Sequence, residues 1–141
     1  MKQVMIIEDN ADLAATYRIL LELRGDDVTV THTGQEGLAA AGDQRFDLVL
    51  SDLGLPDISG YEVARRLRRS PETDCVRLVA VSGFSQEADR RGSLEAGFDA
   101  HLAKPIALAD LEDLLAQWAQ DEGWTSGSGG PRVRRSQRTV R

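Results

Sequence analysis

Only one cysteine, Cys75, stands among the 141 residues, so no internal disulfide can form and a zinc site built on thiolates is not expected. No apolar run approaches the length of a membrane span. The start, Met1-Lys2-Gln3-Val4, leads straight into an apolar segment, without the charged opening, long apolar stretch and small-residue cleavage site of a secretory signal. A cytoplasmic home is therefore expected. Neither a G-x-G-x-x-G fingerprint nor a Walker loop follows the first apolar run, and no repeat of fixed period is present. Basic charge is scarce in the body. Five of the 17 basic residues are arginines within 123–141, where no acid stands, so the other 122 residues set 12 basic against 23 acidic side chains. A body that acidic argues against nucleic acid as its main ligand.

What is present alternates between two periodicities. Val4 to Ile7 is a continuous apolar run, the mark of a strand covered on both faces. Leu13, Tyr17, Leu20 and Leu21 then recur at helical spacing, with Asn10 as the N-cap and Gly25 as the stop. Val28–Val30 reads as a strand, Gln35–Ala41 as a helix ended by Gly42, and Phe46–Leu50 as a third strand. Ser59 and Glu62 form a Ser-x-x-Glu capping box for a helix that ends before Pro71. Within it Arg65, Arg66, Arg68 and Arg69 read as a solvated face. Val76–Val81 is a fourth strand, Gln86–Ala96 a polar helix closed by Gly97, and Ala100–Ala103 a short fifth strand. Leu108, Leu111, Leu114, Leu115 and Trp118 stripe the last helix. Five strand–helix units in strict alternation predict an α/β domain, a parallel sheet with helices on both faces.

In an open parallel sheet, ligands bind beyond the carboxyl ends of the strands. Glu8 and Asp9 follow strand one, Ser51 and Asp52 strand three, Ser82 and Gly83 strand four, and Lys104 and Pro105 strand five. Taken singly, Asp52 is an ordinary loop carboxylate, Lys104 a solvated lysine and Ser82 a helix cap. Their convergence on one sheet edge makes a site of them. Three carboxylates that close repel one another, and a hard divalent cation relieves the conflict with oxygen ligands and retained waters. Gly54 suits the supply of a backbone carbonyl, because its main chain can approach closely. A carboxylate can also attack phosphorus, giving an acyl phosphate. The metal, Lys104, and the Ser82 hydroxyl with the Gly83 amide would then each take one oxygen of the transferred group.

The acidic pair Glu8-Asp9, the motif Asp52-Leu-Gly-Leu-Pro56, Ser82-Gly83 and Lys104-Pro105 resemble, in order and spacing, the receiver domains of bacterial response regulators. The resemblance spans residues 2–120. It implies a flavodoxin-like, doubly wound sheet, (βα)5, of strand order 2-1-3-4-5. It further implies Mg²⁺ or Mn²⁺ held by Asp9, Asp52 and the Gly54 carbonyl, with Glu8 acting through water. Asp52 would accept a phosphoryl group from a histidine kinase or histidine phosphotransfer protein, Lys104 would pair with it, and Ser82 would turn toward it. A cis Lys104–Pro105 bond is typical of the family. Phosphorylation is expected to rearrange the surface of the fourth helix, fifth strand and fifth helix, in a monomer or a phosphorylation-dependent dimer. Self-catalysed phosphorylation and dephosphorylation would be slow, so the chain is not expected to be an enzyme.

Two positions depart from the commonest pattern. Glu8 replaces the more usual Asp. His101, three residues before Lys104, stands where the family usually places Tyr or Phe. A plain reading makes His101 an edge-strand residue that tolerates solvent, and a sharper one makes it a switch residue sensitive to pH. An Asp-nucleophile phosphatase would carry a second acid two residues after the nucleophile, where this chain has Gly54. A flavin or nucleotide module would not place two acids after strand one. Gly54 and Phe84 flank the approach to Asp52 and are expected to tune the phosphoryl lifetime. Residues 1–122 are expected to form the receiver domain, and 123–141 a disordered basic tail or linker. Nineteen tail residues cannot fold as a DNA-binding unit. Output is thus expected through a separate protein target or a parent-chain domain such as that of a hybrid kinase, without direct DNA binding or membrane attachment.

Overall fold

The computed structural model describes residues 2–83 and 87–120, with the side chains of 87–90 left aside. Phe84 and the basic tail lie outside the described residues. Five strands alternate with five helices: β1 (Gln3–Ile7), α1 (Ala11–Leu23), β2 (Asp27–Thr31), α2 (Gly34–Asp43), β3 (Leu48–Asp52), α3 (Gly60–Arg69), β4 (Arg77–Ser82), α4 (Glu87–Ala96), β5 (Ala100–Ala103) and α5 (Leu108–Ala119). The strands form one parallel sheet of order β2-β1-β3-β4-β5. This is the flavodoxin-like α/β architecture. Among the described residues no helix is long and apolar enough to cross a membrane.

Side chains alternate across a strand, so an apolar run feeds two cores. Val4, Ile6, Leu48, Leu50, Val79 and Val81 pack with Tyr17 and Leu21 of α1 and with Leu111, Leu115 and Trp118 of α5. Met5, Ile7, Val49, Leu78 and Ala80 pack on the other face with Val63, Ala64 and Leu67 of α3 and with Ala96 and Phe98. The helix signals act as expected at several ends. Asn10 accepts the N–H groups of Asp12 and Leu13, and Ser59 accepts that of Glu62. The chain leaves α1 and α4 through Gly25 and Gly97, whose φ values of 92° and 122° suit glycine. The Lys104–Pro105 bond is cis.

Several boundaries and one surface differ from the sequence expectation. β3 and β4 run on through Ser51-Asp52 and Ser82, because the ladders pair Ser51 with Ala80, Asp52 with Val81 and Ser82 with Ala103. The strands thus outlast their apolar runs. α2 continues past Gly42 to Asp43. Arg68 is not on a solvated face. Its guanidinium donates to the carbonyls of Gly97, Asp74 and Val76 and pairs with Asp99 at 2.8 Å, its side chain only 12% exposed. Arg65 and Arg66, half exposed, pair with Glu62 as solvated residues do.

Candidate functional site

β1 and β3 are neighbours in register, Ile7 beside Ser51, so Glu8 and Asp52 emerge side by side one residue further on. Both continue the rows of Ile6 and Leu50, on the α1 and α5 side of the sheet. Glu8 is buried, and its Oε2 accepts the N–H of Asn10 at 3.0 Å. Asn10 in turn caps α1, so the tight entry to the helix leaves Asp9 exposed between two fixed residues. Asp52, also buried, accepts the Gly54 N–H at 3.1 Å on Oδ1. At Gly60, the first residue of α3, a Cβ would overlap the Asp52 carbonyl oxygen, and the Gly60 N–H donates to Leu53 at 2.9 Å. Glycine therefore lets α3 press directly on the main chain at the end of β3.

Lys104 closes the cluster from the end of β5. Its N–H donates to the Ser82 carbonyl at 2.8 Å, which anchors the turn. Its Nζ lies 2.8 Å from Glu8 Oε1 and 3.0 Å from Asp52 Oδ2. Burial would lower the ammonium pKa, but the hydrogen bonds to Glu8 and Asp52 outweigh it and hold Lys104 above its usual range. Glu8 is pushed up: burial dominates and Asp52 adds repulsion, against the pull of Lys104 and the Asn10 N–H. One ammonium thus faces three carboxylates. Glu8, Asp9 and Asp52 each offer an oxygen within 4.8 Å of the others, a hard-oxygen set that fits a divalent cation and that one lysine cannot neutralise.

The structure brings together Glu8, Asp9, Asp52 and Lys104 by direct contact or close approach. Ser82, at the end of β4, is buried, and its Oγ shares a hydrogen bond of 2.9 Å with His101 Nε2. Gly83 is exposed beside it, as is Gly54, where a Cβ would meet nothing within 4 Å. Sequence reasoning missed three contributors. Tyr17 reads as helix core, yet its buried hydroxyl lies near enough to feel the charges of Lys104, Glu8 and Asp52, and burial pushes its phenol up. Asp57 accepts the N–H groups of Gly34 and Gln35, both at 2.8 Å, tying the loop after β3 to the start of α2. His32 places Nδ1 2.9 Å from the Glu8 carbonyl oxygen. Of these, only Asp57 carried a local signal, as a turn carboxylate after Pro56.

Residues 4–116 match the family described as the response regulator receiver domain. The polar-differentiation response regulator DivK of Brucella anthropi is 32% identical over 120 residues, covering 85% of this chain and 98% of that one. Among solved structures, the receiver domain of the sensor histidine kinase PA1611 from Pseudomonas aeruginosa has magnesium coordinated in its active-site cleft. It is 29% identical with a TM-score of 0.78, over 85% of this chain and 98% of its own. A complex of the Saccharomyces cerevisiae histidine phosphotransfer protein Ypd1 with the receiver domain of its downstream response regulator Ssk1 also matches. There the identity is 26% and the TM-score 0.76, over 83% of this chain and 88% of that one.

Proposed function

We propose, on the premise that this chain belongs to the response regulator receiver domain family, that Asp52 takes a phosphoryl group from a phosphohistidine donor and so switches partner binding. Membership makes the chain a two-component signalling protein rather than a classical enzyme. The observation that carries the finer reading is Lys104, shared by Glu8 and Asp52 beside a third carboxylate. In the transfer an Asp52 carboxylate oxygen bonds to phosphorus as the phosphorus–nitrogen bond of the donor breaks, and the imidazole leaves. Mg²⁺ or Mn²⁺, held by Asp9, Asp52 and the Gly54 carbonyl with Glu8 through water, would neutralise charge on the phosphoryl oxygens.

The chain's own groups do the rest. Lys104, already 3.0 Å from Asp52, is placed to follow the negative charge onto a phosphoryl oxygen. The Ser82 hydroxyl and Gly83 amide offer donors to another, and Ser82 and His101 together serve as switch residues. No acid stands at Gly54 to activate water, in keeping with slow hydrolysis. Output runs through α4, β5 and α5, where Leu94 and Leu108 are exposed apolar side chains. The donor is a histidine kinase or histidine phosphotransfer protein, and the setting is cytoplasmic. A second reading, a receiver segment of a hybrid kinase, draws on the likeness to the receiver domain of PA1611.

Incubation with Mg²⁺ and acetyl phosphate should add the mass of one phosphoryl group to the intact protein. Asp52→Ala should abolish the gain and a chelator should suppress it. A gain that persists in Asp52→Ala would place the acceptor elsewhere.

A further inference from the structure

β1 and β2 pair in register, Ile7 beside Thr31, and the Glu8 N–H donates to the Thr31 carbonyl at 3.0 Å. Past that rung the strands part, because Thr33 turns to cap α2. His32 stands between them, exposed, and its imidazole places Nδ1 2.9 Å from the Glu8 carbonyl oxygen. A carbonyl oxygen only accepts, so Nδ1 carries the proton and the direction of this bond is fixed. The imidazole projects from a held segment. The His32 N–H donates to Glu36 Oε1 at 2.9 Å, in the first turn of α2, which Asp57 ties to the loop after β3. The Glu8 carbonyl belongs to the planar peptide that leads into Asp9. The peptide that leaves Asp9 is fixed as well, by the Asn10 N–H on Glu8 Oε2 at 3.0 Å. Both peptides flanking Asp9 are thus held, one of them by His32.

We propose that His32 is a positioning residue for the divalent cation: by holding the Glu8–Asp9 peptide it keeps the exposed Asp9 carboxylate beside those of Glu8 and Asp52. The inference rests on the reading of Asp9 as a ligand of Mg²⁺ or Mn²⁺. Groups that orient a ligand without touching the ion set the affinity of a metal site. Asp9 is the ligand that gains most from such support. Glu8 and Asp52 are buried and bonded to Lys104, whereas Asp9 is exposed at the entry to a helix. The bond involves no atom of Asp52, so its effect belongs to cation binding and precedes any phosphoryl transfer.

Mn²⁺ binding, followed by the electron paramagnetic resonance of the free ion, reads the site without any phosphodonor. His32→Ala should weaken Mn²⁺ by about threefold to tenfold, the worth of one neutral hydrogen bond. His32→Asn, whose side-chain amide can donate from nearly the same place as Nδ1, should recover most of the wild-type affinity. Unchanged affinity in His32→Ala would overturn the proposal. So would equal weakening in the two variants, which would make the imidazole's role one of packing rather than of donation. Proton–nitrogen NMR of the two histidines, with His32→Asn to assign the signals, checks the bond itself. Neutral His32 should carry its proton on Nδ1, and a proton on Nε2 would equally overturn the proposal. A wild type that binds Mn²⁺ no tighter than His32→Ala fails this inference alone. A wild type that shows no saturable Mn²⁺ binding fails the reading of the site as a metal centre, and the inference with it.

Discussion

Asp57 commits its two carboxylate oxygens to the N–H groups of Gly34 and Gln35, and so clamps the loop that follows Asp52 to the first turn of α2. Burial would raise its pKa, but the N–H groups of Gln35, Ile58 and Gly34 outweigh that and hold the carboxyl below its ordinary range. A carboxyl lowered on folding stabilises the fold above its unfolded pKa, and that contribution is lost as pH falls through the lowered value. Asp57→Asn should therefore melt below the wild type at neutral pH, with the two melting temperatures converging in acid. A gap that stays constant from neutral pH into the acid range would show that the carboxylate charge is not what matters. Residues such as Glu8, Asp52 and Lys104 were legible in the sequence because each closes an apolar run and a polar residue there must face a strand end. Tyr17 and Arg68 were not. Helical periodicity assigns a face of a helix but says nothing of what arrives over it, and Arg68 is covered by the turn at Gly97 from 29 residues further on.

At the scale of elements, the same limit explains why β3 and β4 were expected to end early. Hydrophobic runs mark where side chains are buried in apolar surroundings, whereas Ser51, Asp52 and Ser82 are buried as polar residues within the parallel ladder. Asp52 is the last residue of a strand rather than the first of a loop, its main chain paired with Val81 of β4 on one side and following Ser51, where the ladder to β1 ends, on the other. α3 adds a third constraint through Gly60. A Cβ there would meet the backbone of Asp52 and Leu53, which cannot yield without moving Asp52. At Gly34 the atoms nearest to a Cβ belong to the Ile58 and Val63 side chains. Gly60→Ala should thus slow phosphorylation by acetyl phosphate by between about tenfold and a hundredfold, the usual cost of a small misplacement of a reacting group. Gly34→Ala, destabilised through side-chain crowding, should keep a rate close to the wild type when both are assayed below their melting temperatures. Equal rates for the two variants would reduce Gly60 to a packing residue.

For the molecule as a whole, the parallel sheet and its two-sided core were readable from the strict alternation of apolar runs and helical stripes, whereas the strand order followed only from the resemblance to receiver domains; topology and family agree with both. The exact pairing of Ser82 with His101, and of Lys104 with both acids, needed coordinates, because pleat and register decide which side chains of neighbouring strands share a face. Charge also acts at this scale. The site holds more carboxylate than its lysine can balance, so a divalent cation should stabilise the folded state by linkage. Mg²⁺ should raise the melting temperature at neutral pH, and Asp9→Asn should lose most of that rise; an equal rise in both proteins would remove Asp9 from the ligand set. The central claim is that the side chain of Asp52 becomes an acyl phosphate. Borohydride reduces an acyl phosphate to an alcohol, so treating the protein after reaction with Mg²⁺ and acetyl phosphate, followed by peptide mapping, reads the acceptor directly. Homoserine at position 52 is the result expected, and an unmodified Asp52 with the reduced residue elsewhere, or with none, would contradict the account.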